Sequence, residues 1–396
     1  MTVYTFTGTN ADESIDIVKL SPSVTVDPAG PTAVTNTRDI IKAGGGKDEV
    51  SSGDGDDDVN LGAGNDQFYW GGFYGVGSDT VIGGSGNDLA AFKGFGPSAS
   101  LTASGSHARF TAGVNVVDMV GVERVALKGA DISDNITIGN LKGTAVKGVL
   151  IDLSDVDNSA VSDGEYDSIQ AAGTKGNDNI SIVSNGNTLK VSGLATALKI
   201  TGFGAGVEDY LYVFADNGAD RLDISKVSAA FAGLALDGGN GNDVLIGSAA
   251  GNDIFGGRGA DKISGGGGAD FLFGGYYYGQ DKSVDNLRGG GGADSFVIAL
   301  PTTQASVDRI LDFKPGVDKV KLLGEAFVDA LGLTIEANEF TIGKKATLPT
   351  HHLIYDDQSG NLFFDANGSD PGGAMRIAVL SKGLAMTEGD FNFLLF

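Results

Sequence analysis

Two blocks of this chain repeat the nonapeptide Gly-Gly-x-Gly-x-Asp-x-U-x, where U is a large apolar residue. The first opens AGGGKDEVS, SGDGDDDVN, LGAGNDQFY from Ala43; the second runs from GGNGNDVLI at Gly238 to GGGGADSFV ending at Val297. A fixed period constrains the fold more than a lone glycine-rich loop, because turn, acid and strand must recur at one spacing. A disordered linker would hold neither its aspartates nor its apolar residues in phase. The x-U-x triplet is predicted to be extended, with U pointing inward and its neighbours outward.

The aspartates in phase are Asp48, Asp57, Asp66, Asp79 and Asp88, then Asp243, Asp253, Asp261, Asp270, Asp285 and Asp294. The apolar position reads Val50, Val59, Phe68, Val81 and Ala90, then Leu245, Phe255, Ile263, Leu272, Leu287 and Phe296. The repeat glycines are Gly44, Gly46, Gly53, Gly55, Gly62, Gly64, Gly84 and Gly86 in the first block. In the second they are Gly239, Gly241, Gly257, Gly259, Gly266, Gly268, Gly290 and Gly292. Glycine permits left-handed turn angles and lets carbonyl oxygens converge. A carboxylate completes a hard-oxygen shell of the kind calcium takes. The Asp side chains and the carbonyls of these glycines are therefore the candidate ligands for Ca2+.

These motifs resemble the RTX (repeats-in-toxin, hemolysin-type) calcium-binding proteins. The resemblance implies an all-β fold: a right-handed parallel β-roll or β-solenoid in which two nonapeptides make one coil and calcium sits between turns eighteen residues apart. Asp48 to Asp66 and Asp243 to Asp261 both span eighteen, and Asp39 lies eighteen before Asp57 and could open a row. Asp66 to Asp88 is stretched to twenty-two, predicting an insertion around Trp70 to Phe73, and Asp270 to Asp294 to twenty-four, predicting one around Tyr276 to Gln280. Asp243 to Asp253 to Asp261 reads as ten then eight. Asp66, mid-row, is expected to matter more than Asp88.

Composition agrees. Acidic residues outnumber basic ones 51 to 27, for a net charge of −24, and only nine of the acids are Glu. General solubility does not demand short-armed acids; tight calcium turns do. The acidity argues against nucleic acid and anionic membranes as partners, and it predicts self-repulsion that metal relieves, linking calcium to folding. There is no cysteine to form disulfides, so metal is the expected staple. No apolar run approaches about 20 residues, so no transmembrane segment is expected. MTVYTFTGTNADESIDI lacks the basic and apolar regions of a signal peptide. The resemblance implies export by a type I (ABC) secretion apparatus reading the C-terminus, where TEGDFNFLLF has acids followed by apolar residues. That segment also reads as a last edge strand. The expected location is extracellular, at a bacterial cell surface.

The chain divides into a lead-in or cap (1–42), a first roll (43–91), a degenerate solenoid spacer (92–237), a second roll (238–297) and a C-terminal cap with the export signal (298–396). The lead-in holds a degraded repeat, GTNADESID, and the spacer holds SDNITI, GTKGNDNIS and ADNGADRLD among short alternating strands. A separate β-sandwich is the other reading of the spacer. The cap's SVDRILDFKPGVDKVKL and HLIYDDQSGNLFFDANG resemble the C-terminal region of serralysin-like proteases. Gly324 to Leu333 is predicted as one short helix, and Gly360-Asn361 as a tight turn between LIYD and LFFD.

No catalytic motif accompanies the repeats. His107, His351 and His352 do not form H-E-x-x-H, there is no G-x-S-x-G elbow, and GGGK at Gly44 to Lys47 lacks the Ser/Thr of a phosphate loop. His351-His352 read as strand residues beside Tyr355. The expectation is a non-enzymatic calcium-binding structural or adhesive protein of surface-layer, filament or biofilm-matrix type, which self-assembles or binds cell-surface glycan. Two alternatives stay open. One is a polysaccharide lyase or epimerase with its site in 92–237, where Arg109, Arg124, Lys128, Lys142, Lys147 and Tyr166 lie; the other is a membrane-acting protein. Aromatic clusters at both insertions, Trp70, Phe73 and Tyr74, then Tyr276, Tyr277 and Tyr278, are candidates for an interaction surface. The competing reading is that each inserted loop folds back over the roll.

Overall fold

The computed structural model describes residues 4–16, 25–27, 33–34, 37–71, 77–129, 132–154, 163–204, 209–275, 283–301 and 306–394. Strands of two to nine residues dominate, joined by glycine turns, with one α-helix, Glu325–Leu331, among the described residues. The chain forms two compact units, 1–173 with 184–211, and 174–183 with 212–396. The stretch 92–237 is thus shared between them.

In the first unit two ladders of parallel strands carry the repeats. One stacks Tyr4–Thr7, Asp39–Lys42, Asp58–Gly64 and Ser78–Gly86. The other stacks Ser14–Ile15, Glu49–Ser51, Gln67–Gly71, Leu89–Lys93, Arg124–Lys128, Gly148–Asp152 and Ala197–Thr201. The registers give the insertion its place. Asp39–Lys42 and Asp58–Gly64 are eighteen apart, whereas Gln67 pairs with Leu89 and Asp58 with Thr80, twenty-two apart. The extra residues therefore fall after Gly71 and before Ser78. The first ladder continues past Ser78–Gly86 through an antiparallel meander, Asn115–Val120, His107–Ala112 and Ser98–Ser104, and returns to parallel pairing at Asn135–Ile138 and Ser168–Ala172. The spacer strands in this unit thus extend the ladders, as expected of a solenoid, with this meander and the hairpin of Thr188–Ser192 on Ala197–Thr201 as antiparallel excursions.

The second unit repeats the plan. One ladder stacks Leu234–Asp237, Asn252–Phe255, Phe271–Phe273, Ser295–Ala299, Lys319–Leu323 and Phe391–Leu394. The other stacks Arg221–Lys226, Val244–Ile246, Lys262–Gly267, Asn286–Gly291 and Arg309–Ile310. The C-terminal segment closes the first of these as a paired strand. Leu353–Asp356 and Asn361–Asp365 form the expected hairpin, turning at Gly360 with φ 82°.

Strand alternation builds the cores. Val50, Phe68, Val81, Ala90, Leu245, Leu272, Leu287 and Phe296 are 0% exposed. Phe255 departs from its expected place. Ile254 is the buried residue there and pairs with Leu272, while Phe255 is half-buried. The phase read across this turn is corrected: Asn252, nine after Asp243 and nine before Asp261, holds the aspartate position, and Asp253 lies on the strand. The triplet Gly251-Asn252-Asp253 imitates Gly241-Asn242-Asp243 one residue out of phase, which is what misled the reading.

Trp70 is also not the exposed aromatic expected of an interaction surface. It is 7% exposed and packs against Phe92 and Phe110, whose rings stack at 3.9 Å. Phe73, Tyr74, Tyr276, Tyr277 and Tyr278 lie outside the described residues.

Candidate metal centre

The sixteen repeat glycines named above all have positive φ, between 81° and 152°. The demand is sharpest at Gly62, with φ 99°: a Cβ there would sit inside the carbonyl oxygen of Gly44 in the turn below. Gly62→Ala is therefore expected to destabilise the calcium-loaded protein by more than about 4 kcal/mol, since strained φ and a backbone clash add. Gly96→Ala, where nothing lies within 4 Å, is the neutral control. Equal denaturation midpoints for the two variants would refute the stacked-turn geometry.

The aspartates form continuous rows, each reaching to the turn before it. In the first unit, the backbone N–H of Glu13 donates to Asp48 Oδ1 at 2.7 Å, that of Asp48 to Asp66 at 2.9 Å, that of Asp66 to Asp88 at 2.9 Å and that of Asp88 to Glu123 Oε2 at 2.9 Å. The second row joins Asp39 to Asp57 at 2.7 Å and Asp57 to Asp79 at 3.0 Å. In the second unit, one row runs Asp178, Asp220, Asp243, Asp261, Asp285, Asp308 and another runs Asn252, Asp270, Asp294, Asp318. A third series in the first unit, Asp134, Asp167 and Asp209, spans thirty-three and forty-two residues. Asp88 is as much a mid-row residue as Asp66, because Glu123 extends the row; the expected difference between them is corrected.

One carboxylate oxygen is thus engaged with backbone. The other is the informative one. Oδ2 of Asp48, Asp57, Asp66, Asp88, Asp167, Asp220, Asp243, Asp270 and Asp294 is buried without a hydrogen-bond donor. A buried acceptor left unmade is costly, and for a charged group more so. Rows end differently: at Asp318 and Asp209 the second oxygen accepts the N–H of Lys314 or Gly204, each at 2.8 Å, and at Asp79 it accepts the Ser52 hydroxyl at 3.0 Å.

The space beside these oxygens is shaped by carbonyls. A Cβ built on Gly238 would stand 2.5 Å from Asp243 Oδ2 and 2.6 Å from the Gly256 carbonyl oxygen. One on Gly256 would stand 2.6 Å from Asp261 Oδ2 and 2.5 Å from the Gly274 carbonyl oxygen. Carboxylate and carbonyl oxygen therefore converge at the same point in successive turns. Among the described residues no three His, Cys, Asp or Glu side chains converge, so a ligand set here draws on backbone oxygen. A carboxylate set beside backbone carbonyl oxygen suits a hard cation of flexible geometry that takes oxygen ligands, which is calcium. Bound calcium would supply the positive charge that the second oxygens lack.

Electrostatics point the same way. Burial, opposed by the backbone hydrogen bond and reinforced by neighbouring aspartates, pushes Asp57 up to about 8 and Asp243 and Asp270 to about 7. Burial and then neighbouring acids push Asp134 to about 8. Burial raises Asp48 and Asp167 to about 7 and Asp79 to about 6. These are carboxylates in want of a cation.

The profile of the RTX calcium-binding nonapeptide repeat (4 copies) matches residues 35–68, 74–90 and 246–275. These segments of the chain are RTX calcium-binding repeats. They bind calcium. No curated protein sequence matches the chain. Among solved structures, it is similar to the AlgE6R3 subunit of the Azotobacter vinelandii mannuronan C5-epimerase, with 26% identity over 39% of this chain and 79% of that one and a TM-score of 0.26. It is also similar to the extracellular lipase LipA from Serratia marcescens, with 13% identity over 92% of this chain and 40% of the lipase and a TM-score of 0.21.

Several row members escaped the sequence reading. Glu13, Glu123, Asp134, Asp167, Asp178, Asp209, Asp220, Asp308 and Asp318 sit outside full RTX nonapeptides, although SDNITI, GTKGNDNIS and ADNGADRLD held three of them in view. The residue before the row aspartate was missed as well. Asn65, Asn177 and Asn242 accept the N–H of Asn87, Ala219 and Ala260 at 2.8–2.9 Å, bracing each turn to the next in the opposite sense.

Proposed function

We propose that the protein is a secreted, non-enzymatic structural or adhesive component whose shape and assembly are set by calcium. It would leave the cell by type I export, its C-terminal residues serving first as signal and then as the strand beside Lys319–Leu323. The rolls at 43–91 and 238–297 would bind calcium through the eleven aspartates named, with Asn252 in place of Asp253, and through the carbonyls of the repeat glycines. The spacer 92–237 would continue the scaffold and 298–396 cap it. The observation that carries this reading is the set of nine buried row carboxylates with a donorless oxygen, recurring through both units; on this reading most of the chain is calcium scaffold.

Five of the residues that could have served catalysis have partners within the fold. Asp118 holds His107 at 2.7 Å and Arg109 at 2.6 Å, and Asp152 holds Lys128 at 3.2 Å. His351 Nδ1 lies 3.2 Å from the Thr347 hydroxyl, and His352 Nδ1 lies 2.7 Å from the Asp365 carbonyl oxygen. No helix is long and apolar enough to cross a membrane among the described residues. Electron microscopy of purified protein brought to millimolar calcium is expected to show sheets or filaments that a chelator disperses. A monodisperse monomer at high concentration would overturn assembly, and unsaturated or reducing ends released from acidic polysaccharide would make the protein an enzyme.

A further inference from the structure

Five strands of the first unit stand side by side in the order Leu89–Lys93, Arg124–Lys128, Gly148–Asp152, Ala197–Thr201 and Thr188–Ser192. Their inward residues, such as Leu127, Ile151 and Ile200, are buried. The outward face carries the opposite charge to the rest of the chain. These strands hold five cations, Lys93, Arg124, Lys128, Lys190 and Lys199, against one carboxylate, Asp152. The whole protein has a net charge of −24.

Register makes this excess costly. Lys190 pairs directly with Lys199, and Lys93 with Lys128. Like charges facing each other across strands destabilise a sheet. Asp152 compensates Lys128; among the described residues no carboxylate pairs with Lys93, Lys190 or Lys199. An acidic chain that places only one of its aspartates, Asp152, on these five strands presents a surface complementary to an anion.

The same face is grooved. A depression of about 780 Å³ bordered by Tyr69, Lys93, Lys128 and Asp152 adjoins one of about 490 Å³ bordered by Arg124, Lys190 and Lys199, and the two share Ala126 and Leu150. Tyr69, Ala91, Ala126 and Leu150 align across successive strands as an apolar floor that ends at Lys199. Tyr69 is 41% exposed and Leu150 36%. At the Tyr69 end the Trp70 indole N–H is buried without an acceptor. From Tyr69 to Lys190 the floor crosses six strands, roughly 24 Å at the usual strand spacing.

We propose that this groove binds an acidic polysaccharide lying across the strands. Sugar rings would cover Tyr69, Ala91, Ala126 and Leu150, burying their apolar faces. The carboxylates or sulfates would take Lys93, Lys190 and Lys199 through charge-assisted hydrogen bonds. Single-stranded nucleic acid fits less well, because it is held by several stacked aromatics and among the described residues this floor offers only Tyr69. A lipid surface wants a protruding apolar face, and this one is recessed. The site would give the adhesive reading its ligand. It rests on that reading for the place where protein and polymer meet, not for the binding itself.

The test is calorimetric titration of the calcium-loaded full chain with oligosaccharides of galacturonate, hyaluronan and heparin, with cello-oligosaccharides as neutral controls. At least one acidic series is expected to bind, weakening as salt rises. Lys190→Glu/Lys199→Glu should weaken it at least tenfold while leaving the calcium-dependent circular dichroism unchanged, and Tyr69→Ala should weaken it without altering the salt slope. Tyr69→Ala serves alone if the double variant fails to fold. The proposal is overturned if no acidic series binds, if neutral chains bind equally, or if anionic phospholipid vesicles or oligo-dT bind as tightly. It is also overturned if charge reversal strengthens binding, which would mean that calcium bridges the polymer to the protein's own carboxylates. A chain that binds these oligosaccharides yet never assembles would sink the assembly reading and keep this one.

Discussion

Removing calcium from the protein at neutral pH is expected to abolish most of its parallel β-structure, with recovery when millimolar calcium is restored. The reason lies in the rows. Asp48, Asp66 and Asp88 follow one another from turn to turn, each 0% exposed, each with one oxygen on a backbone N–H and the other without a donor. An uncompensated buried charge costs about 3–5 kcal/mol, and a whole domain is stable by only about 5–15 kcal/mol. Two or three such carboxylates exhaust that margin, and the rows of both units hold more. Calcium binding free energy is therefore folding free energy. Midpoints of about 0.1–1 mM are expected, as for extracellular calcium modules. Far-UV circular dichroism during a calcium titration measures this directly. A spectrum indifferent to millimolar calcium and to chelator would sink the scaffold reading and the assembly reading that depends on it.

What the sequence revealed, and what it hid, follows from how each signal is encoded. Where Gly, Asp and U all keep phase, coil, core and row were legible to the residue: Phe68 and Leu272 are core, and Asp48 to Asp66 is one step of a row. The phase failed at Asn252 because its side-chain amide oxygen accepts the Ser248 N–H at 2.7 Å while its backbone N–H donates to Asp270 Oδ1 at 2.9 Å, so the row runs on through a residue that leaves no acidic mark in the pattern. Glu13 and Glu123 were hidden for the opposite reason: they keep the carboxylate but lengthen the arm. Asp134, Asp167 and Asp209 lack the nine-residue spacing, since long insertions separate turns that stack in space. Their stacking is set by parallel pairing of Asn135–Ile138 with Ser168–Ala172, a contact between segments that no local period records. The cationic groove was invisible for a related reason. Lys93, Arg124, Lys128, Lys190 and Lys199 are scattered over a hundred residues, and only strand order gathers them onto one face.

With calcium absent, the protein is expected to regain structure as pH falls from about 8 to about 5, the reverse of ordinary acid denaturation. Asp57 and Asp134 titrate near 8 when folded, Asp48, Asp167, Asp243 and Asp270 near 7 and Asp79 near 6, against 3.8 in the unfolded chain, chiefly because burial disfavours the charged form. Asp57 also faces Asp79, Asp39 and Asp56. A group whose folded pKa lies above its unfolded value stabilises the fold fully below the unfolded pKa, and that contribution fades as pH rises through the folded one. The window of loss therefore runs from about pH 4 to about pH 8. Asp118 works the other way. Its pKa is lowered because the hydrogen bonds from Arg109 and His107 outweigh its burial, so its stabilisation is lost as pH falls below the ordinary carboxylate range. The two trends cross, placing the calcium-free optimum near about pH 4–5. With calcium in excess the sign inverts, because the metal takes only the ionised carboxylate and protons compete with it. Thermal unfolding followed across this pH range, once in calcium-free buffer and once in millimolar calcium, should give slopes of opposite sign. Parallel slopes would mean that the buried carboxylates are not where calcium and folding meet.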